Sequence, residues 1–273
     1  MIDQDVTTPE TFIAAATDDL RVIGVPAFAD NYLWLIARGT VAAAVDPGDA
    51  SAIERALHTH HLELRSILVT HHHADHTGGV AALAPRHGAA VYGPARELIP
   101  ACTHPLSGDT RIDVLGLTMD VIEVPGHTRG HIAYFAARPA WLFCGDTMFA
   151  AGCGRLFEGT AAQMAASLAR LAALPPTTRV FCAHEYTLAN LRFARAVEPD
   201  NAALAARQRA CEAQRARGEP TVPSQLADEL ATNPFLRTDI PAVRAAAAAQ
   251  RAAADRDSVA TFAALRAWKD TFR

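Results

Sequence analysis

Short apolar runs punctuated by Asp, Gly and Pro dominate the first two-thirds of the chain. "RVIGVPAF", "NYLWLIAR" and "TVAAAVDPG" predict the strands of an opening antiparallel sheet. The helical spacing of "SAIERALHTH" gives way to a buried strand at "RSILVT", a helix at "GVAALAPRHG" and a strand at "AAVYGP". A second series follows, with strands at "TRIDVLG", "LTMDVIEVPG", "HIAYFAA" and "AWLFCGD", a helix near 161–174 and a strand at "TRVFCAHE". The two halves share an element order without a sequence repeat that would prove duplication. After His184 the residues are mostly Ala, Arg, Glu, Gln and Leu at helical spacing, interrupted by "EPTVP" and "TNPF". This change predicts two domains, 1–185 and an all-helical 186–273. Alanine-rich helices bury little per residue, so the second is expected to lean on the first.

Composition narrows the class. With 273 residues, 50% of them hydrophobic and 20% charged, the chain can bury a sizeable core and reads as soluble and globular. A net charge of -4 argues against a nucleic-acid partner, since the longest basic-rich stretch, "RQRACEAQRARG", is broken by Glu212 and alanines. The opening "MIDQDVTTPETF" carries acids where a signal peptide needs positive charge, and no stretch reaches the roughly 20 apolar residues of a membrane span. A cytoplasmic location is expected. Cys102, Cys144, Cys153, Cys182 and Cys211 form no C-x-x-C pair and are expected to be free and mostly buried.

The chemistry gathers where strands end. "VTHHHADHTGG" follows a predicted strand, and its crowded imidazoles would repel one another once protonated unless a metal keeps them neutral. His71 and His73 alternate on an extended loop and can hold one ion, while Asp75 and His76 turn toward a second. Further donors come at the ends of later strands: His127 in "VIEVPGHTRGH", Asp146 in "WLFCGDTMF" and His184 in "RVFCAHEYT". Asp146 has two oxygens and is the natural residue to touch both ions. Two cations at roughly 3.5 to 4 Å together activate a water and polarise a carbonyl, which is hydrolytic equipment. His72 is expected to point away, His131 to donate a hydrogen bond that orients the loop, and Asp46 either to support the site or to form a turn. Histidine and carboxylate donors without thiolate suit zinc, with iron or manganese as alternatives.

The "THHHADH" segment with the later "GHT", "GDT" and "AHEYT" resembles the metallo-β-lactamase superfamily. "NYLWLI", "AGCGRLFEGT", "AHEYTLANLRFARAVEP" and "RAWKDTFR" extend the likeness over essentially the whole chain to the glyoxalase II (hydroxyacylglutathione hydrolase) family. The resemblance implies a four-layer αββα sandwich followed by the helical domain. It implies His71, His73 and His127 on one metal, Asp75, His76 and His184 on the other, and Asp146 bridging, with Asp75 and Asp146 the catalytic carboxylates. A bridging hydroxide would cleave the thioester S-D-lactoylglutathione to D-lactate and glutathione. Thiolate is a good leaving group, so little general-acid help is needed. The substrate contacts carried over are Arg155, Phe157, Tyr186, Asn190, Arg266 and Lys269; Arg266 and Lys269 share a helix face and are expected to reach one carboxylate of glutathione. Some members have lysine and tyrosine where this chain has Arg155 and Phe157, which puts the phenolic hydrogen bond in doubt. A monomer acting on a small molecule is expected. The rivals are a one-iron persulfide dioxygenase, a lactonase, β-lactamase or nuclease of the same fold, and a binding module that has lost its activity. None of the seven ligand positions is eroded, and the helical tail speaks for the thioesterase.

Overall fold

The computed structural model describes residues 10–251 and 256–272; most of the acidic opening segment and Arg273 lie outside them. The first half runs β1 (Phe12–Ala16), β2 (Leu20–Ala27), β3 (Asn31–Arg38), β4 (Val41–Val45), α1 (Ala50–Thr59) and β5 (Glu63–Leu68). It continues through α2 (Ala74–Thr77), α3 (Val80–His87), β6 (Ala90–Pro94) and β7 (His104–Leu106). The second half runs β8 (Arg111–Val114), β9 (Leu117–Glu123), β10 (Ile132–Ala136), β11 (Trp141–Gly145), β12 (Met148–Phe149) and β13 (Gly152–Cys153). Then come α4 (Ala161–Ala172) and β14 (Arg179–Cys182). The tail holds α5 (Thr187–Val197), α6 (Ala202–Ala216), β15 (Ser224–Gln225), α7 (Leu226–Thr232), α8 (Pro241–Gln250) and α9 (Ser258–Thr271).

One sheet has the order β1-β2-β3-β4-β5-β6-β7, and a second has β15-β14-β11-β10-β9-β8. The first starts as the expected antiparallel meander and turns parallel from β4 onward. Strand alternation explains the layering. Val22, Trp34, Ile36 and Val45 meet Met119, Val121, Tyr134 and Phe143 in the core between the sheets. Their sequence neighbours Ile23, Leu33, Leu35 and Ala44 instead pack with Ile53 and Leu57 of α1 and Val80 and Leu83 of α3. Both faces of β2 to β5 are thus covered, which is why these strands read as continuous apolar runs. The arrangement is the metallo-β-lactamase αββα sandwich with a C-terminal helical region.

The sequence pattern missed β1, β7, β12, β13 and β15, all of five residues or fewer. One of these changes the reading of the tail. Ser224 and Gln225 pair antiparallel with β14, so residues 186–273 are not purely helical but add an edge strand to the second sheet. Phe193, Phe235, Val243 and Phe262 also join the inter-sheet core, so the described residues of the tail form no separate apolar centre of comparable size. No helix among the described residues is long and apolar enough to cross a membrane.

Candidate metal centre

The donors meet at one edge of the sandwich, where the start of β3 and the segment after β14 are tied together. The Tyr32 amide donates to the Ala183 carbonyl at 2.7 Å and the Glu185 amide to the Asp30 carbonyl at 2.8 Å. His71 and His73 follow β5, and α2 then carries Asp75 and His76. His127, Asp146 and His184 follow β9, β11 and β14. Gly145 permits this crowding. At φ +46 it occupies the left-handed region, and a Cβ there would lie 2.3 Å from Thr70 Oγ1 and 2.9 Å from His131 Nε2.

Two sets of four donors result. In the first, His73 Nδ1 lies 3.1 Å from His71 Nε2 and 3.0 Å from His127 Nε2, and Asp146 Oδ2 is 3.4 Å from His127 Nε2. In the second, Asp146 Oδ1 is 3.3 Å from His76 Nε2 and 3.4 Å from His184 Nε2, while Asp75 Oδ2 is 3.5 Å from each of these nitrogens. Ligands at roughly 2.0–2.1 Å from a tetrahedral ion stand roughly 3.3 Å apart, so both sets have the spacing of a coordination shell. Asp146 offers one oxygen to each.

Supporting groups aim these atoms. His127 Nδ1 donates to the Arg155 carbonyl at 2.9 Å, and His184 Nδ1 lies 2.8 Å from Asp30 Oδ1. Asn31 Nδ2 donates to Asp75 Oδ2 at 3.1 Å. Asp46, itself at φ 50, accepts from the Thr70 amide at 2.7 Å and hydroxyl at 2.8 Å. Its Oδ2 also stands 3.0 Å from His76 Nδ1, close enough for charge attraction but off hydrogen-bond direction. His131 orients the Asp146 loop from both ring nitrogens: its Nε2 accepts the Asp146 amide at 3.1 Å, and its Nδ1 faces the Thr147 hydroxyl at 3.5 Å. His72 turns away toward Glu97 and Glu158.

Burial and charge act differently on the two sets. Burial pushes His71 well down, helped by the neighbouring His76 imidazole, and also lowers His127 and His73. At His76, burial is outweighed by the carboxylates of Asp146 and Asp46, which raise it well above its ordinary value. His184 is likewise buried, yet Asp146, Asp75 and Asp30 push it up to about 10. Burial would raise Asp146, but His76 and His184 hold it well below the usual carboxylate range. The fit to a cation rests on a sharper observation. His76 Nε2 and Asp146 Oδ1 are buried, face each other at 3.3 Å and have no hydrogen-bond partner. Once His76 gives up its proton, two acceptors are aimed at one point, which suits a metal ion. The cysteines are not involved, since the Cys144 and Cys182 thiols meet the Met148 and His184 carbonyls.

The candidate substrate residues rim this edge and its supports. Phe157 is 61% exposed, with its ring 5.6 Å from that of His73 and 5.1 Å from that of His127. Tyr186 stacks on His184 at 4.7 Å. Asn190 is buried and donates to the Ala150 carbonyl at 3.0 Å. Arg266 is buried as well, bound to the Cys153 carbonyl at 2.9 Å and to Asp270 at 3.0 Å, whereas Lys269 Nζ donates to the Ala189 carbonyl at 3.2 Å. The two cations therefore diverge onto different acceptors. Arg155 is exposed, with Nε 3.8 Å from Asp270. An open cavity of about 610 Å³ beside Arg38, Arg111 and Arg138 shares no residue with the centre. Sequence reading missed Asp30, Asn31, Thr70 and Glu97. Of these, Asn31 opens "NYLWLI" and Thr70 opens "THHHADH", but neither was given a role; Asp30 and Glu97 lie outside every motif.

Two family models match the chain in adjacent stretches. The family described as Metallo-beta-lactamase superfamily matches residues 30–184, and Hydroxyacylglutathione hydrolase C-terminus matches residues 185–272. A hydroxyacylglutathione hydrolase of Alkalilimnicola ehrlichii is 57% identical over 254 residues, covering 92% of this chain and 98% of the relative. One of Dechloromonas aromatica is 54% identical over 266 residues, covering 93% and 100%. Among solved structures, the B3 metallo-β-lactamase BLEG-1 is similar in fold, with a TM-score of 0.60 at 24% identity over 79% of this chain and 99% of that one.

Proposed function

Since the chain belongs to the hydroxyacylglutathione hydrolase family of the metallo-β-lactamase superfamily, we propose that it hydrolyses S-D-lactoylglutathione to D-lactate and glutathione, the thioester-cleaving step of methylglyoxal detoxification. The observation that carries the reading is the Asp146 carboxylate, whose two oxygens face two separate four-donor sets. A dinuclear divalent metal site fits these donors, and the ions we assign are two zincs, with iron or manganese as substitutes. His71, His73 and His127 would hold the first, Asp75, His76 and His184 the second, and Asp146 both. When bound, such a pair lowers the pKa of water and polarises a carbonyl.

The residues of the chain do the rest. Asp75 is fixed by the hydrogen bond from Asn31, and Asp146 by the hydrogen bond its backbone N–H donates to His131, so the two catalytic carboxylates are positioned before substrate arrives. A thiolate leaves without a strong general acid, and no buried cysteine is needed as nucleophile; Cys144 is pushed well up by burial, away from the reactive thiolate. Phe157 and Tyr186 form apolar walls beside the two histidine sets. Arg155 and Lys269 supply positive charge for the glutathione carboxylates, while Arg266 and Asn190 act from beneath by holding the β12–β13 segment. Residues 1–185 thus serve as the dinuclear metal hydrolase domain, and 186–273 contribute to glutathione binding. Five free cysteines suit a reducing compartment, and we assign the cytoplasm. The second donor set favours this hydrolysis over a one-iron oxidation. The test follows thioester absorbance with metal-loaded, chelator-treated and metal-restored protein on S-D-lactoylglutathione. Cleavage lost on chelation and regained with metal is expected; no cleavage by protein holding two ions overturns the reading.

A further inference from the structure

Glu97 follows β6 and has no part in the reaction just described, yet its side chain is only 4% exposed. A buried carboxylate is costly unless hydrogen bonds meet it. Four do. Oε2 accepts from the His72 amide at 2.6 Å and from His72 Nδ1 at 2.9 Å. Oε1 accepts from the Thr128 hydroxyl at 2.5 Å and the Gly130 amide at 3.0 Å. The first pair of donors belongs to the loop that carries His71 and His73. The second pair belongs to the loop that carries His127. A single carboxylate therefore spans the two loops whose imidazoles make up the first donor set.

The surroundings are shaped for this span. A Cβ at position 130 would lie 2.5 Å from Glu97 Cγ, so glycine is what lets the loop close on the carboxylate. The bond to His72 Nδ1 also turns that ring toward Glu158, 3.3 Å from its Nε2, and away from the converging nitrogens of His71 and His73. Among the described residues, Glu97 makes no hydrogen bond to Asp75, His76 or His184.

We propose that Glu97 is a positioning residue for one ion of the two: it sets the spacing between the His71–His73 loop and the His127 loop, and so governs how tightly the first ion is held. The proposal rests on the dinuclear reading above. Its test is Glu97→Gln, which keeps the size but replaces one accepting oxygen by an NH₂ group, leaving the backbone N–H of His72 or Gly130 without a partner and forcing the neighbouring His72 ring or Thr128 hydroxyl to accept. Metal-free wild type and variant are titrated with Co²⁺ against a competing chelator, with the visible d–d bands recorded. Wild type is expected to take up two ions. Glu97→Gln should hold one as wild type does and release the other about 10- to 100-fold more readily, the range for groups that orient metal ligands. With His127→Ala already present, Glu97→Gln should add little, since the first set is then broken.

The control is Glu229→Gln. Glu229 is equally buried and accepts from the Ala151 amide, Asn233 and Arg207, but it touches neither loop. It should lower thermal stability without separating the two ions. If Glu97→Gln binds both ions as wild type does, or weakens both alike, the role is structural and the proposal falls. Wild type binding fewer than two ions overturns the dinuclear reading, and the proposal with it. Should Glu97→Gln fail to fold, Glu97→Asp keeps the charge with a shorter reach and is held to the same two outcomes.

Discussion

Around the first donor set, His71 and His127 bond outward to neutral partners, the Thr70 hydroxyl and the Arg155 carbonyl, whereas around the second, His76 and His184 face the carboxylates of Asp46, Asp30, Asp75 and Asp146. The difference shows two ways to prepare imidazole for a metal. Burial keeps protons off the first set, so its nitrogens are ready and only their spacing must be held. Carboxylates enrich the second set in negative charge, which draws an ion but draws protons too. Spacing limits one set and proton competition the other.

Removing the residue they share should have the largest effect. Asp146→Ala takes one donor from each set and leaves His76 and His184 without their main counter-charge. Both ions should be lost on dialysis, and kcat/KM should fall by more than about 10³-fold, beyond the cost of a single electrostatic stabiliser. Metal analysis of dialysed protein checks it. Retention of both ions would mean that the carboxylate does not bridge.

Acidity separates the sets without a mutation. His184, pushed up to about 10, carries a proton in the ion-free protein at neutral pH, and an incoming ion must displace it. Affinity of the second set should therefore rise with pH, by up to about tenfold per unit for each proton displaced, until pH reaches about 10. The first set, with its histidines shifted below their ordinary value, should be flat above neutrality. Chelator competition at about pH 7 and about pH 9 reads both slopes. Equal slopes would remove the distinction.

Asp46→Asn is the finer probe. It keeps the shape but removes the charge beside His76 Nδ1, and the second ion should weaken by about 10- to 100-fold, the first by less, since Asp46 reaches His71 only through the Thr70 hydroxyl. This mirrors the effect expected of Glu97→Gln on the first ion.

The seven converging donors were readable from the sequence because His71, His73, Asp75 and His76 share one short segment and the others each follow a strand. Their supports were not. Asp30 meets His184 across 154 positions, and Glu97 meets Gly130 across 33, so no local pattern links them. The β15 strand escaped notice because two residues give no alternation to read. Arg266 and Lys269 show the limit of helical spacing as a guide: three positions apart put them on one face, but the Cys153 and Ala189 carbonyls took them in different directions.

The smallest effect comes at the rim, where the two sets are also unlike. Tyr186 stacks on His184 with a hydroxyl to offer, while Phe157 covers His73 and His127 with none. Phe157→Tyr would make the two walls alike. The ring is 61% exposed, so a new hydrogen bond to glutathione would compete with water and stand near the lower end of the usual 0.5–1.5 kcal/mol. KM for S-D-lactoylglutathione should fall about two- to threefold with kcat unchanged, because the contact is made equally in ground and transition states. An unchanged KM would mean that the missing hydroxyl was never limiting and that Tyr186, Arg155 and Lys269 already carry the glutathione. A changed kcat would mean instead that Phe157 acts through the His73 and His127 rings it covers, placing the rim among the forces that hold the first set in register.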